Sequence, residues 1–283
     1  MKYNDLLEKR IQDCGNPICM GMDPVLKRIP LEGKPEEIIK TFYMSLLEGF
    51  DKKGIYPAAV KPNSAYYENI SVEAMGVLKE LIAACTDRGI HVVLDAKRGD
   101  IGKSSSAYAD AAIDVYKASS ITVSPYMGSD SVLPFINKDL NRGVYALLRT
   151  SNPGAKDIQD LDCGGIPLFL KVAEKLIEWN PGNLGAVVGA TNLAEMERIT
   201  EFFVEKNAEL PFLIPGVSVK GVAGQQGGLA SEVIQALKNG GAKRGFHLLN
   251  SSSGLNYAYE AMPDLSYADA AAVALENLIE DCQ

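Results

Sequence analysis

The stretch 92–104, VVLDAKRGDIGKS, sets an acid, a base and an acid (Asp95, Lys97 and Asp100) at the end of an apolar run. Val92 to Leu94 read as a buried strand. Side chains alternate faces along a strand, so Asp95 and Lys97 share one, with Cα atoms roughly 6.6 Å apart. Gly99 allows a turn that brings Asp100 back towards the pair. Ions taken out of water cost several kcal/mol each unless paired, so the triplet is either a surface ion pair or the paired interior of a site. In a low-dielectric mouth, a carboxylate and an ammonium keep each other ionised. Such fixed charges suit a developing carbanion, and a protonated lysine among them is a ready general acid.

Choosing between the two readings requires knowing where the strand end points. Eight short apolar runs recur along the chain: 17–23, 57–63, 91–97, 121–126, 144–150, 184–191, 211–217 and 245–252. Between them lie amphipathic helical patterns such as EEIIKTFYMSLLEGF, VEAMGVLKELIAACTDRG and LAEMERITEFFVEKN, several closed by Gly or Asn. Strict alternation of apolar strands with helices implies a parallel sheet covered by helices. Eight such units in about 250 residues predict a (β/α)₈ TIM barrel. A doubly wound open sheet is the competing architecture, but no GxGxxG follows the first strand. The chain is expected to be one domain over 1–283, with an N-terminal helix in 1–15, a barrel core over 17–260 and a closing helix over 266–281.

In such barrels the active site sits at the C-terminal strand ends. Those ends carry Asp23, Lys61, Asp95 with Lys97, Ser124, Ser151 with Asn152, Thr191 and Ser251 to Ser253. Taken singly, Asp23 is a turn residue and Lys61 a solvated strand end. Four ionisable groups on three consecutive strand ends favour a site. A glycine-rich stretch, IPGVSVKGVAGQQGG, follows the seventh strand, and NSSSG follows the eighth. Backbone N–H groups of such turns bind phosphate, and this is the customary phosphate position of the barrel.

Bulk properties narrow the partners. A formal charge of −8 argues against nucleic acid or an anionic membrane as the main partner. Cys14, Cys19, Cys85, Cys163 and Cys282 form no CxxC pair, and there are two histidines, so neither a disulfide framework nor a Cys/His zinc site is expected. A reducing cytoplasm fits. No apolar run approaches the roughly 20 residues of a membrane span, and the first residues lack the apolar core of a signal peptide.

These residues resemble the orotidine 5′-phosphate decarboxylase family, in its longer bacterial subgroup. DAKRGDI (95–101) matches the family's Asp-x-Lys-x-x-Asp-Ile element. GMD (21–23), VKPN (60–63), SNPG (151–154), PGV (215–217) and QGG (226–228) match further elements in order. The resemblance runs from about residue 17 to 260. It implies decarboxylation of orotidine 5′-monophosphate to UMP, without cofactor or metal, in a homodimer with shared sites. Asp95, Lys97 and Lys61 would form a charged network with Asp100 of the neighbouring subunit. Lys97 would protonate C6 of the pyrimidine, Asp95 would face the substrate carboxylate, and Lys61 and Asp23 would hold the ribose. Asp100 and Ser104 would reach across the dimer, Ser151 would read the pyrimidine edge, and Gln226 would bridge base and phosphate. Pro215 of the PGV element would line the site, and backbone near Gly228 and Ser253 would bind the phosphate.

At one position the chain departs from the family. Ser253 stands where the family carries an arginine that grips the phosphate, and serine lacks the bidentate fork. Lys243 and Arg244 precede the eighth strand and belong at the opposite end of the barrel, which leaves Lys220 as the cation of the glycine-rich stretch. A metal-dependent sugar-phosphate decarboxylase or aldol-type synthase shares the Asp-x-Lys-x-x-Asp motif, but binds its metal through an acid where this chain has Lys61. A Schiff-base aldolase is disfavoured because flanking carboxylates keep Lys97 protonated. A nucleotide-binding barrel weakened in catalysis by the missing arginine is the non-enzymatic alternative.

Overall fold

The computed structural model describes residues 1–219 and 227–283. The second helix illustrates how its elements are specified. It spans Pro35–Lys53, with Pro35 in its first turn, Glu36 and Glu37 beside it, Lys52 and Lys53 in the last turn, and Gly54 left-handed at φ 66° beyond the end. Each feature matches what a helix terminus favours. The helix buries Ile39, Phe42, Tyr43, Leu46, Leu47 and Phe50, a stripe at helical spacing.

Ten strands are present among the described residues: β1 Ile18–Gly21, β2 Ala59–Lys61, β3 His91–Arg98, β4 Ser120–Val123, β5 Gly143–Arg149, β6 Leu184–Val188, β7 Phe212–Pro215, β8 Val217–Ser218, β9 Gly228–Leu229 and β10 Leu248–Ser251. Eight close a barrel in the order β1-β10-β7-β6-β5-β4-β3-β2. Every pair in that ring is parallel. All eight expected strands are found, and the fold is the (β/α)₈ TIM barrel. The N-terminal and final helices span Tyr3–Cys14 and Tyr267–Asp281. The two-residue strands β8 and β9 pair with each other and were not expected. Glycine makes their approach possible: a Cβ on Gly227 would lie 1.5 Å from the Gly216 carbonyl oxygen.

The first helix closes the barrel floor, which leaves the opposite rim as the open end. Tyr3, Leu7 and Ile11 form the buried stripe of the first helix. They pack with Cys19, Ala59, Val93, Tyr145, Leu213 and Leu248 from the strands. Tyr3 lies so close to β5 that a Cβ on Gly143 would sit 2.3 Å from its ring. Arg244 pairs with Asp5 and Glu8 of this helix, at 2.9 and 2.7 Å. As expected for a residue preceding the last strand, it belongs to the floor. No helix among the described residues is long and apolar enough to cross a membrane.

Candidate active site

β2 and β3 end in charges because their neighbours at the rim satisfy them. Asp95 is 4% exposed and Lys61 6%. The Lys61 ammonium donates to Asp95 Oδ2 at 2.9 Å, and the Lys97 ammonium to Asp95 Oδ1 at 2.7 Å. Thr122 Oγ1 donates to the same Oδ1 at 2.8 Å. Burial alone would push the Asp95 carboxyl up, but the Lys61 and Lys97 ammoniums hold it well below the usual carboxylate range. Burial would likewise push Lys61 down, but the Asp23 and Asp95 carboxylates hold it above the ordinary lysine range. Asp95 and Lys61 are therefore both charged at neutral pH. Lys97 differs from its partners: 48% of its side chain is exposed, so its ammonium faces both Asp95 and the cavity.

The Asp95–Lys97 contact does not arise from simple strand alternation. Leu94 pairs with Ile121 and Arg98 with Val123, so β3 carries a bulge between Leu94 and Arg98. Lys97 sits in the bulge with φ 43°, a left-handed conformation that costs a non-glycine residue about 1–3 kcal/mol. Its N–H donates to Thr122 Oγ1 at 2.9 Å. Gly99, where a turn was expected, follows directly on the end of β3, and the positive φ angles fall on either side of it, at Lys97 and at Gly102, φ 53°.

Asp23 follows β1 and accepts a hydrogen bond from Ser252 Oγ at 2.9 Å on its Oδ2. Its Oδ1 is buried with no hydrogen-bond partner among the described residues. This free acceptor is suited to a ligand hydroxyl. The contact depends on Gly21, because a Cβ there would meet Ser252 Oγ at 1.8 Å.

These groups open into a cavity of about 1010 Å³. Asp23, Lys61, Asp95, Lys97, Ser151, Pro215 and Ser253 all line it. Apolar side chains line it as well, among them Leu147, Ile158, Phe169, Val172 and Leu213. Ser151 and Ser253 are exposed at the mouth. Asp23, Lys61, Asp95 and Lys97 are its only charged lining residues among those described. The end formed by Pro215 to Val217 and Ser251 to Ser253 carries no charge.

The remaining expected residues stand elsewhere. Asp100 does not return to the Asp95–Lys97 pair within this chain, because its carboxylate caps the following residue, accepting from Ile101 N–H at 2.8 Å. Asp100 lies outside the cavity wall, as does Ser104, which is exposed on helix Gly102–Asp110. Gly228 is in β9 behind the wall, where a Cβ would touch Leu193 and Val233 at 3.4 and 3.5 Å. Gln226 and Lys220 lie outside the described residues. Of the polar wall residues that escaped the sequence reading, two make hydrogen bonds that hold named site residues or their turns. Thr122 is one, and its signal was a hydroxyl at an inward position of a buried strand. Gln159 is the other; it accepts from Thr150 N–H at 3.0 Å and donates to Thr150 Oγ1 at 2.8 Å, holding the turn that carries Ser151. Among the described residues no three His, Cys, Asp or Glu side chains gather as a metal site.

Comparison with known proteins gives a consistent set of relatives. A family model described as orotidine 5′-phosphate decarboxylase / HUMPS family matches residues 16–243. An orotidine 5′-phosphate decarboxylase from Halorubrum lacusprofundi is 36% identical over 287 aligned residues, covering 98% of this chain and 97% of that protein. The solved structure of Leishmania donovani OMP decarboxylase matches with a TM-score of 0.76 and 34% identity, covering 100% of this chain and 99% of that one. The Leishmania donovani UMP synthase structure matches with a TM-score of 0.79 and 35% identity over 99% of this chain, which spans 56% of that longer one.

Proposed function

Because the chain belongs to the orotidine 5′-phosphate decarboxylase / HUMPS family, and is a carboxy-lyase by that membership, we propose that it converts orotidine 5′-monophosphate to UMP and CO₂ through its own charged cluster. The observation that carries the reading is the Asp95 carboxylate gripped by two ammoniums, one of which is half-open to the cavity.

The chemistry follows from the placement. A substrate carboxylate set near Asp95 meets a fixed negative charge and loses that repulsion when CO₂ departs. The bond from C6 to the carboxyl carbon breaks and its electron pair stays on C6. Lys97 then delivers a proton from its Nζ to C6, and the neutral amine recovers one from solvent. Its own positive charge stabilises the carbanion beforehand, with no reorganisation of the site. Lys61, held by Asp95 and with Asp23 nearby, is assigned with Asp23 to the ribose hydroxyls. The unpartnered Asp23 Oδ1 supports this. Ser151 and Pro215 are assigned to the pyrimidine side, and Ser253 and backbone near Gly228 to the phosphate.

Asp100 and Ser104 are assigned to the cavity of a second copy. Their position outside their own chain's cavity wall supports this, and it makes the working unit a homodimer. The whole chain is read as one barrel domain, acting in pyrimidine biosynthesis in the cytoplasm.

The metal-dependent chemistry of other barrels with this motif is disfavoured. An ammonium at the end of β2, 2.9 Å from Asp95, repels a divalent cation where those enzymes place an acid. The test is turnover of orotidine 5′-monophosphate, followed by its loss of absorbance, with EDTA present. Undiminished turnover is expected. No turnover in either condition contradicts the function, and turnover abolished by EDTA and restored by a divalent metal contradicts the cofactor-free reading.

A further inference from the structure

Thr122 is 1% exposed in a strand buried along its whole length. A hydroxyl in such a place must find partners within the protein. Its strand neighbours Ile121 and Val123 join the core between strands and helices, whereas Thr122 turns to the cavity. The pairing of β3 with β4 explains why a hydroxyl is useful there. Residues 94 to 98 of β3 are opposed by only 121 to 123 of β4, and a bulge of this kind leaves backbone groups without a ladder partner. Lys97 N–H is such a group, and Thr122 Oγ1 accepts from it at 2.9 Å. The same hydroxyl donates to Asp95 Oδ1 at 2.8 Å, the oxygen that also receives the Lys97 ammonium. One side chain thus ties the left-handed backbone of Lys97 to the carboxylate that its own ammonium grips.

We infer that Thr122 is a positioning residue whose hydroxyl, accepting from Lys97 N–H and donating to Asp95, sets where the Lys97 ammonium stands in the cavity. It acts through those two residues and touches no reacting atom. The inference rests on the reading that Lys97 delivers the proton. Valine has the shape of threonine but neither bond, alanine lacks both, and serine keeps both.

The test compares Thr122→Val, Thr122→Ala and Thr122→Ser for turnover and for hydrogen exchange at the Lys97 amide. A misplacement near 1 Å costs about a hundred-fold in rate, so Val and Ala should lose kcat on that order with KM little changed. The serine variant should stay within about threefold of the wild type. The Lys97 amide should exchange faster in Val and Ala and remain protected in Ser. If valine fails to fold, alanine carries the comparison. Val or Ala retaining kcat within about threefold, or Ser falling as far as Val, overturns the inference. A wild-type chain that leaves the substrate intact contradicts the proposed function instead. The exchange series then decides alone: protection lost in Val and Ala but kept in Ser upholds the clamp, and protection unchanged in Val overturns it.

Discussion

Lys61 Nζ lies 2.9 Å from Asp95 Oδ2, and both side chains are almost closed to solvent, at 7% and 5% exposure. Two buried charges in this arrangement commit each other to ionisation. Removing either partner leaves the other paying its desolvation cost.

Asp95→Asn should therefore abolish turnover and also destabilise the fold, by about 3 kcal/mol, the lower end for a broken buried pair because Asp23 still supports Lys61. The pH dependence has a definite sign. The Asp95 carboxyl is held below its unfolded value, so its contribution is complete above about pH 4 and lost as pH falls through the lower, folded value. Lys61 is held above its unfolded value, so its contribution is complete at neutral pH and lost only in strong alkali. Urea unfolding of both proteins should show a constant stability gap from neutrality down to about pH 4, and a shrinking one below. A gap that instead opens between neutral and mildly acidic pH contradicts the ionised pair.

Gly21→Ala should disturb the site by crowding Ser252 and Asp23, which its Cβ would meet at 1.8 and 3.2 Å. The collision would break the bond between them. Ser252→Ala removes the same bond without crowding. Both should raise KM for the nucleotide, by about tenfold for a lost bond to a charged group, with a smaller effect on kcat. Combined with Asp23→Ala, neither should add its full single effect. Full additivity would show that Ser252 does not work through Asp23.

Much of this site was legible from the chain alone, for physical reasons. A parallel strand buried on both faces is a continuous apolar run, so polar residues appear where it ends. That located Asp23, Lys61, Asp95 and Ser151. The bulge was not legible, because a left-handed lysine has no local marker. Gly99, the expected turn, also packs closely, with a Cβ there meeting Ser124 Cβ at 3.2 Å. Strands β8 and β9 are too short to show periodicity. Thr122 was passed over because threonine is also an ordinary strand former. The role proposed for Asp100 involves a second chain, and one sequence says nothing of such a contact.

Mixing subunits tests that assignment. Lys97→Ala and Asp100→Ala chains, each inactive alone, should regain activity on exchange, since one of the two hybrid sites contains neither lesion. Absence of complementation, with exchange demonstrated by differently tagged subunits, would place Asp100 outside the partner's site.

Ser253→Arg should strengthen nucleotide binding. The described cavity wall from Pro215 to Val217 and from Ser251 to Ser253 has no charged side chain to meet a phosphate. A charge-assisted bond contributes roughly 1.5–3 kcal/mol, or about ten- to a hundred-fold in kcat/KM, expressed here mainly as a lower KM. An unchanged KM would mean that the phosphate does not reach Ser253.

The central claim is that the half-exposed Lys97 ammonium is the proton donor, and it is tested most directly by Lys97→Ala. Decarboxylation of orotidine 5′-monophosphate should fall to background in this variant, while its thermal unfolding and its affinity for UMP stay close to those of the wild type. Near-normal turnover in Lys97→Ala would contradict the account.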